Sequence, residues 1–462
     1  MGEKRQAIYD ATTLGKPQMM LLGLQHMFAM FGATILVPIL VNGYFNGEGL
    51  SVQVTLFFAG IGTLLFHVCS KYKVPAFLGS SFAFLGGFAT VASLNTGKYA
   101  DMTYGEKLPY ACGGIVVAGL LYLVLALVIK LVGVKKVMHF LPPVVTGPII
   151  ICIGLSLAPS AVSNASANWF LAVVALAVVI AFNIWGKGMW KIIPILMGVV
   201  ISYVVALVMQ LIGFTNADGS AILSFEPIAS ASWVGLPPFV IAKFDLTAIL
   251  VMAPIAIATM MEHIGDISAI SATTGNNFVE EPGLNRTLLG DGLATALAGM
   301  FGGPANTTYG ENTGVLELSK VYDPKVVRIA AVYAIVISFI PKVADVIGTM
   351  PTAIIGGISF VLYGMISAIG VRNVVENKVD FTKSRNLIVA AVILVSGLGF
   401  SNGITFTVFG TSVTLTSLAI AALLGIILNA VLPGNDYNFG ENFKGDINRG
   451  VSFNNIKDDN IA

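Results

Sequence analysis

Residues 140–186 and 386–435 contain no Asp, Glu, Lys or Arg, and this constrains the fold more tightly than any motif. A helix that crosses the hydrocarbon core of a bilayer needs about 20 predominantly apolar residues, so each stretch accommodates two crossings and an uncharged turn. Charged residues make up 11% of the chain, against about 25% in soluble domains; most of the surface therefore cannot face water. The 25 Lys+Arg nearly balance the 24 Asp+Glu, which removes bulk positive charge as a route to nucleic acid. Cys69, Cys112 and Cys152 lie in or beside apolar runs, so neither a disulfide framework nor a paired-cysteine metal site is expected. The chain reads as an all-α polytopic membrane protein, with the lipid bilayer as its solvent and no metal or cofactor.

Apolar runs place membrane segments at 18–42, 51–70, 75–90, 110–133, 138–158, 168–186, 190–213, 246–272, 287–302, 305–320, 325–346, 351–371, 384–401 and 412–432. With the N-terminus inside, alternation puts all of the 25 basic residues on inside segments except Lys98, Lys107, Lys243 and Lys342. Such a bias is what the positive-inside rule requires. Both termini, residues 1–17 and 433–462, are expected to be cytoplasmic.

Two segments do not read as ordinary spans. The third runs Pro75-Ala-Phe-Leu-Gly-Ser-Ser-Phe-Ala-Phe-Leu-Gly-Gly87, and the tenth opens Gly302-Gly-Pro-Ala-Asn-Thr-Thr-Tyr-Gly-Glu-Asn-Thr-Gly314. Backbone interrupted by Gly, Pro and Asn is tolerated at membrane depth only inside protein or along a polar cavity. A pair of such segments in corresponding halves points to a transporter site. Each is the third of seven segments, and Phe82 to Glu311 is an offset of 229, as is Ala33 to Glu262. Pro142-x4-Gly147 and Pro351-x4-Gly356 repeat at an offset of 209. These matches suggest fourteen segments in a seven-plus-seven repeat, and an odd repeat length requires inversion.

A carboxylate inside the bilayer costs about 2.5–3.5 kcal/mol on insertion scales, so each one calls for a reason. Glu262 and Asp266 are four residues apart and share a helix face, while His263 points elsewhere. Two acids this close cannot both ionise comfortably away from water, which makes them a candidate proton-carrying pair. Glu311 sits at the break in the tenth segment beside Gly310, where a free backbone amide would give donor and acceptor together. Asp291 is read as a support for the site or as a cap, and His26 as a structural residue or a proton handler.

Four blocks carry a family resemblance: Gln25-His-Met-Phe-Ala-Met-Phe-Gly-Ala-Thr-Ile-Leu-Val-Pro38, Leu78-Gly-Ser-Ser-Phe-Ala-Phe84, Glu262-His-Ile-Gly265 and Asn306-Thr-Thr-Tyr-Gly-Glu-Asn-Thr-Gly314. From about residue 16 to 432 the chain resembles the nucleobase–ascorbate transporters, and within them the bacterial uracil permeases. The resemblance implies fourteen segments in two inverted repeats, with short extended stretches in segments three and ten. It implies a substrate-holding core, 18–133 with 246–346, and a gate, 138–213 with 351–432, through which a homodimer forms. Glu262 and Glu311 match the acids that bond the uracil ring, and Phe82 and Gly310 match amides that meet its carbonyls. Ala33 and Tyr309 match pocket-lining positions. His26 matches a histidine linked to the site, and Asn312 with Asp291 match supporting positions.

Asp266 departs from a familiar uracil permease, which carries His there, and with Asp291 it resembles the purine branch. Glu311 departs from the purine carriers, which usually have Gln. The resemblance therefore implies a symporter that imports uracil with a proton across the bacterial inner membrane, with a xanthine or urate symporter, Na⁺-coupled or not, as the alternative. An anion carrier would want a basic site, and the interrupted stretches 75–87 and 302–314 contain no Lys or Arg. An enzyme would want a nucleophile–base set or a metal cluster, which two carboxylates and a dispersed His do not supply.

Overall fold

The computed structural model describes residues 7–215, 219, 221–408, 411–435 and 437. The expected cytoplasmic tail 433–462 lies mostly outside these, as do Lys4, Arg5, Lys444, Arg449 and Lys457. The main elements, leaving short turns unlabelled, are α1 (Lys16–Tyr44), α2 (Val52–Cys69), β1 (Leu78–Ser80), α3 (Leu85–Ser93), α4 (Tyr104–Val132), α5 (Pro143–Ser156), α6 (Ala158–Ser166), α7 (Trp169–Trp185), α8 (Pro194–Leu211), α9 (Leu246–Met252), α10 (Ile255–Thr274), α11 (Leu284–Met300), β2 (Asn306–Thr308), α12 (Gly310–Ser319), α13 (Pro324–Ser338), α14 (Pro341–Gly348), α15 (Thr352–Glu376), α16 (Ser384–Gly399), β3 (Ile404–Val408), β4 (Thr411–Leu415) and α17 (Ser417–Val431). Among the described residues, seven helical spans are long and apolar enough to cross a membrane (α1, α2, α4, α5–α6, α8, α9–α10 and α15), or eight if the bent pair α13–α14 counts as one. The protein is a multi-pass membrane protein.

Local chemistry sets the helix ends. The first turn of α4 is closed by a capping box, in which Glu106 N donates to Thr103 Oγ1 and Thr103 N donates to Glu106 Oε2. Ser51 and Thr416 cap α2 and α17. Two expectations fail. The segment expected over 325–346 is two helices meeting at 84°; the break precedes Pro341, whose ring and missing N–H end a helix. The segment expected over 412–432 begins as a strand: β3 and β4 pair antiparallel from Ile404↔Leu415 to Val408↔Thr411, and the helix starts only at Ser417. Alternating Thr and β-branched or aromatic residues favour the strand there.

Helix packing relies on close backbone approach, since lipid gives apolar side chains no reason to leave it. Helix α4 lies along α11, and α13 lies along α2 and α1, whereas α15 packs on α5, α6 and α7, and α16 packs on α5 and α17. A Cβ at Gly292 would meet Tyr122 Cβ at 2.5 Å and Gly119 O at 2.7 Å. We expect Gly292→Val to force α11 off α4 at a cost of about 1–3 kcal/mol, seen as a lower thermal midpoint in detergent. Gly364→Ala, whose Cβ meets nothing within 4 Å, should leave the midpoint unlowered or slightly raised, since Ala is the better helix former.

The third and tenth segments meet as strands. β1 and β2 are antiparallel with Leu78↔Thr308, Gly79↔Thr307 and Ser80↔Asn306 in register. The ladder is extended on both flanks: Ser81 N donates to Ala305 O at 2.8 Å, and Tyr309 N donates to Phe77 O at 3.0 Å. Each strand opens on a buried threonine. Thr63 Oγ1 on α2 accepts from Leu78 N at 2.9 Å and lies 3.2 Å from Leu78 O. Thr295 Oγ1 on α11 accepts from Asn306 N at 3.2 Å and donates to Asn306 O at 3.1 Å. This local two-fold relation runs through the Gly79↔Thr307 pair, at an offset of 228 between Leu78 and Asn306. The sequence offset of 229 was one residue too long, because Phe82 is matched by Gly310 rather than by Glu311.

Candidate functional site

Both strands run into helix beginnings. Helical turns start at Phe82 and at Gly310, and neither start has a side-chain cap. Uncapped first-turn N–H groups are unsatisfied donors carrying partial positive charge, and here they converge from opposite directions. A cavity of about 370 Å³ lies in front of them, lined by Phe82, Glu262, Asp266, Tyr309, Gly310 and Glu311. Ile369 and Arg372 of α15 also line it, with Ile369 Cδ1 3.3 Å from where a Cβ at Gly310 would lie.

Helix α10 presents Glu262 and Asp266 on one face, one turn apart. Asp266 is 7% exposed, and its Oδ2 accepts from Thr308 Oγ1 at 2.7 Å. Glu262 Oε2 is buried with no protein partner. Glu311 occupies the first turn of α12, where the helix dipole favours a negative charge. Tyr309 is held by its hydroxyl, which donates to Ser80 O at 2.9 Å, and its ring fills the space over Gly79, where a Cβ would lie 2.4 Å from the ring. Acceptors on Glu262 and Glu311 and donors at two helix starts suit a small planar heterocycle bearing both N–H and C=O groups.

The remaining sequence candidates stand behind this lining. His26 and Asn312 are both buried and touch: Asn312 Nδ2 donates to His26 O at 3.0 Å and lies 3.2 Å from its Nδ1. Asp291 is fully buried, with Oδ2 2.8 Å from His263 Nδ1. Ala33 is fully buried and does not line the cavity; Phe28 and Ala29, about one turn earlier on α1, do so instead. A second cavity of about 200 Å³ shares Asp266, Gly310, Ile369 and Arg372 with the first and adds Glu317 and Asn373.

Sequence reasoning passed over Thr308, His263 and Arg372. Thr308 was visible within the tenth-segment block, but its partner lies 42 residues away. His263 points away from the acids, and that direction is what brings it to Asp291. Arg372 reads in the sequence only as one of the cytoplasmic cations, yet it lines both cavities.

Comparison with known proteins agrees with this architecture. Among solved structures, the transmembrane domain of the cyanobacterial bicarbonate transporter BicA matches with a TM-score of 0.57 at 18% identity, covering 82% of this chain and 96% of that one. Murine Slc26a9, an anion transporter solved in the inward-facing state, matches with a TM-score of 0.60 at 12% identity, covering 93% and 73%. Likeness at this identity concerns the fold, the seven-plus-seven inverted repeat, and not the cargo. In sequence, the uracil permease of Bacillus caldolyticus is 39% identical over 442 residues, covering 92% of this chain and 94% of that protein. A probable uracil permease of Pasteurella multocida is 39% identical over 421 residues, covering 89% and 93%. A putative pyrimidine permease of Escherichia coli, RutG, is 37% identical over 419 residues, covering 90% and 89%. Residues 17–406 match a permease family. The chain belongs to this permease family, the nucleobase–ascorbate transporters.

Proposed function

We propose that the protein is a symporter that imports uracil together with a proton across the bacterial cytoplasmic membrane, with both termini inside. The observation that carries this reading is the convergence of Glu262, Glu311 and the two uncapped helix starts at Phe82 and Gly310 on one cavity. The uracil ring offers N–H groups to the carboxylates and carbonyls to the backbone amides. Residues 18–133 with 246–346 act as the substrate-holding core, and 138–213 with 351–432 as the gate and the homodimer contact. Movement of the core against the gate exposes the cavity to alternate sides. Coupling requires that the base bind one protonation state more tightly than the other. Glu262 takes the proton on loading, with Asp266 beside it and His26 behind the site. Asp291 and Asn312 support the arrangement.

The test is uptake by purified protein in liposomes with an imposed proton or Na⁺ gradient, using labelled uracil competed by xanthine. Uracil accumulation on the proton gradient alone supports the reading; accumulation only on Na⁺ refutes proton coupling. Asp266 and Asp291 favour a second reading, a xanthine or urate symporter. Glu311 separates the two, because a carboxylate accepts N–H bonds whereas Gln both accepts and donates. Glu311→Gln is expected to weaken uracil binding by roughly tenfold and xanthine binding by less. Equal losses for both bases would remove the argument for uracil.

A further inference from the structure

Helix α11 contributes no residue to the lining of either cavity described above, yet it carries polar side chains buried at membrane depth. Asp291 is 0% exposed and Thr295 is 1% exposed. They stand four residues apart, on one face and one turn from each other. Polar groups at this depth have no water to replace a lost partner, so where they are engaged is informative.

Asp291 reaches α10. Its Oδ2 lies 2.8 Å from His263 Nδ1, an ion-pair contact off hydrogen-bond alignment, and His263 is itself fully buried with the Phe66 ring edge-on at 6.2 Å. His263 follows Glu262 directly, so the pair holds α10 from behind at the level of the substrate-facing acid. Thr295 reaches the tenth segment by bracketing the N–H and C=O of Asn306. The Asn306 side chain is tied down as well, donating to Phe58 O at 3.2 Å and to Ala294 O at 3.3 Å. From Asn306 the chain runs through the paired strand β2 straight into α12 and Glu311. An adjoining side of α11 is backed by α4, where a Cβ at Gly299 would lie 2.9 Å from Cys112 O.

We infer that α11 is the spacer that sets the separation of Glu262 and Glu311, gripping one acid's helix through Asp291–His263 and the other acid's strand through Thr295–Asn306. Asp291, His263 and Thr295 are positioning residues: they touch no substrate and act through the two acids. The inference rests on the proposal that a base is held between Glu262 and Glu311. A fixed separation is what lets such a site distinguish a one-ring from a two-ring base, because a site built to bond polar edges penalises the ligand that leaves them unpaired.

The experiment measures binding of uracil and of xanthine to the purified full-length protein, alongside the folded fraction and the thermal midpoint. Thr295→Val keeps the side-chain shape and removes the hydroxyl, Thr295→Ser keeps the hydroxyl, and His263→Leu leaves Asp291 without its partner. Thr295→Val and His263→Leu are expected to weaken binding of the preferred base roughly tenfold and to move the uracil-to-xanthine ratio by about fivefold. Thr295→Ser should retain the wild-type ratio. Folded Thr295→Val with an unchanged ratio, or with both bases weakened equally, would overturn the inference. A wild-type protein that prefers xanthine would instead overturn the uracil assignment, and the same change of ratio in the variants would still decide the role of α11.

Discussion

Glu262→Gln is expected to abolish proton-driven accumulation of uracil while leaving exchange of uracil across the membrane measurable. The side chains are nearly isosteric, so the shape of the cavity around Phe82, Tyr309 and Gly310 is kept. What goes is the ability to carry a proton. The buried, unpartnered Oε2 of Glu262 is an acceptor waiting for a donor, and in the proton-loaded, neutral state a hydrogen bond there is worth about 0.5–1.5 kcal/mol. Its weakening in Gln lowers affinity by roughly 2- to 10-fold. Binding weakened by that factor would still support counterflow at high uracil concentration, since exchange needs the cavity to reorient but not to release a proton. Accumulation needs differential affinity between two protonation states, and Gln has only one. Liposomes loaded with unlabelled uracil measure exchange, and empty liposomes under a proton gradient measure accumulation. Full accumulation by the variant would remove Glu262 from the coupling role and leave Asp266 as the remaining acid on that helix face.

The parts of the site that the sequence exposes are those where charge or backbone chemistry conflicts with a lipid environment. Glu262, Asp266 and Glu311 stand out because carboxylates at membrane depth are costly, and the structure brings all three to one cavity. The third and tenth segments stand out because their Gly, Pro and Asn content is incompatible with a lipid-facing helix, and they form the two crossing strands. What the sequence conceals is pairing over distance. Thr63 and Thr295 look like ordinary small polar residues in apolar helices, and only the fold shows that each grips the first residue of a strand. His263 and Asp291 are 28 residues apart on different helices, so no local spacing links them. The same limit explains the offset: segment positions alone suggest 229, whereas the strand register relates Leu78 to Asn306 and so Phe82 to Gly310, an offset of 228. The bend before Pro341 and the strand over 411–415 had local signals, a proline and an alternating Thr-rich run. An apolar window that averages over such runs reads both as helix.

Gly79→Val is expected to eliminate binding as well as transport, although Gly79 lines neither cavity and carries no functional group. Gly79 pairs with Thr307 at the crossing of the two strands. A Cβ there would lie 2.4 Å from Tyr309 ring atoms and 2.8 Å from Thr34 Oγ1, far inside contact distance. Neither neighbour can yield cheaply. The Tyr309 hydroxyl is bonded to Ser80 O at 2.9 Å, Thr34 O accepts from Ser80 Oγ at 2.9 Å, and Ser80 is fully buried. Overpacking a filled interior costs about 1–3 kcal/mol. Here relief comes only by moving Tyr309, and Gly310 and Glu311 follow it directly. A displacement of about 1 Å at a positioned group is enough for a loss near 100-fold, and this one shifts an acid and a helix start together. Cause and site can be separated by compensation. Tyr309→Ala opens space over position 79, so Gly79→Ala combined with Tyr309→Ala should bind uracil no worse than Tyr309→Ala alone, whereas Gly79→Ala by itself should be severely impaired. If Gly79→Ala lowered binding by the same factor with and without the Tyr309 ring, the clash would not be the cause and the crossing would tolerate a side chain.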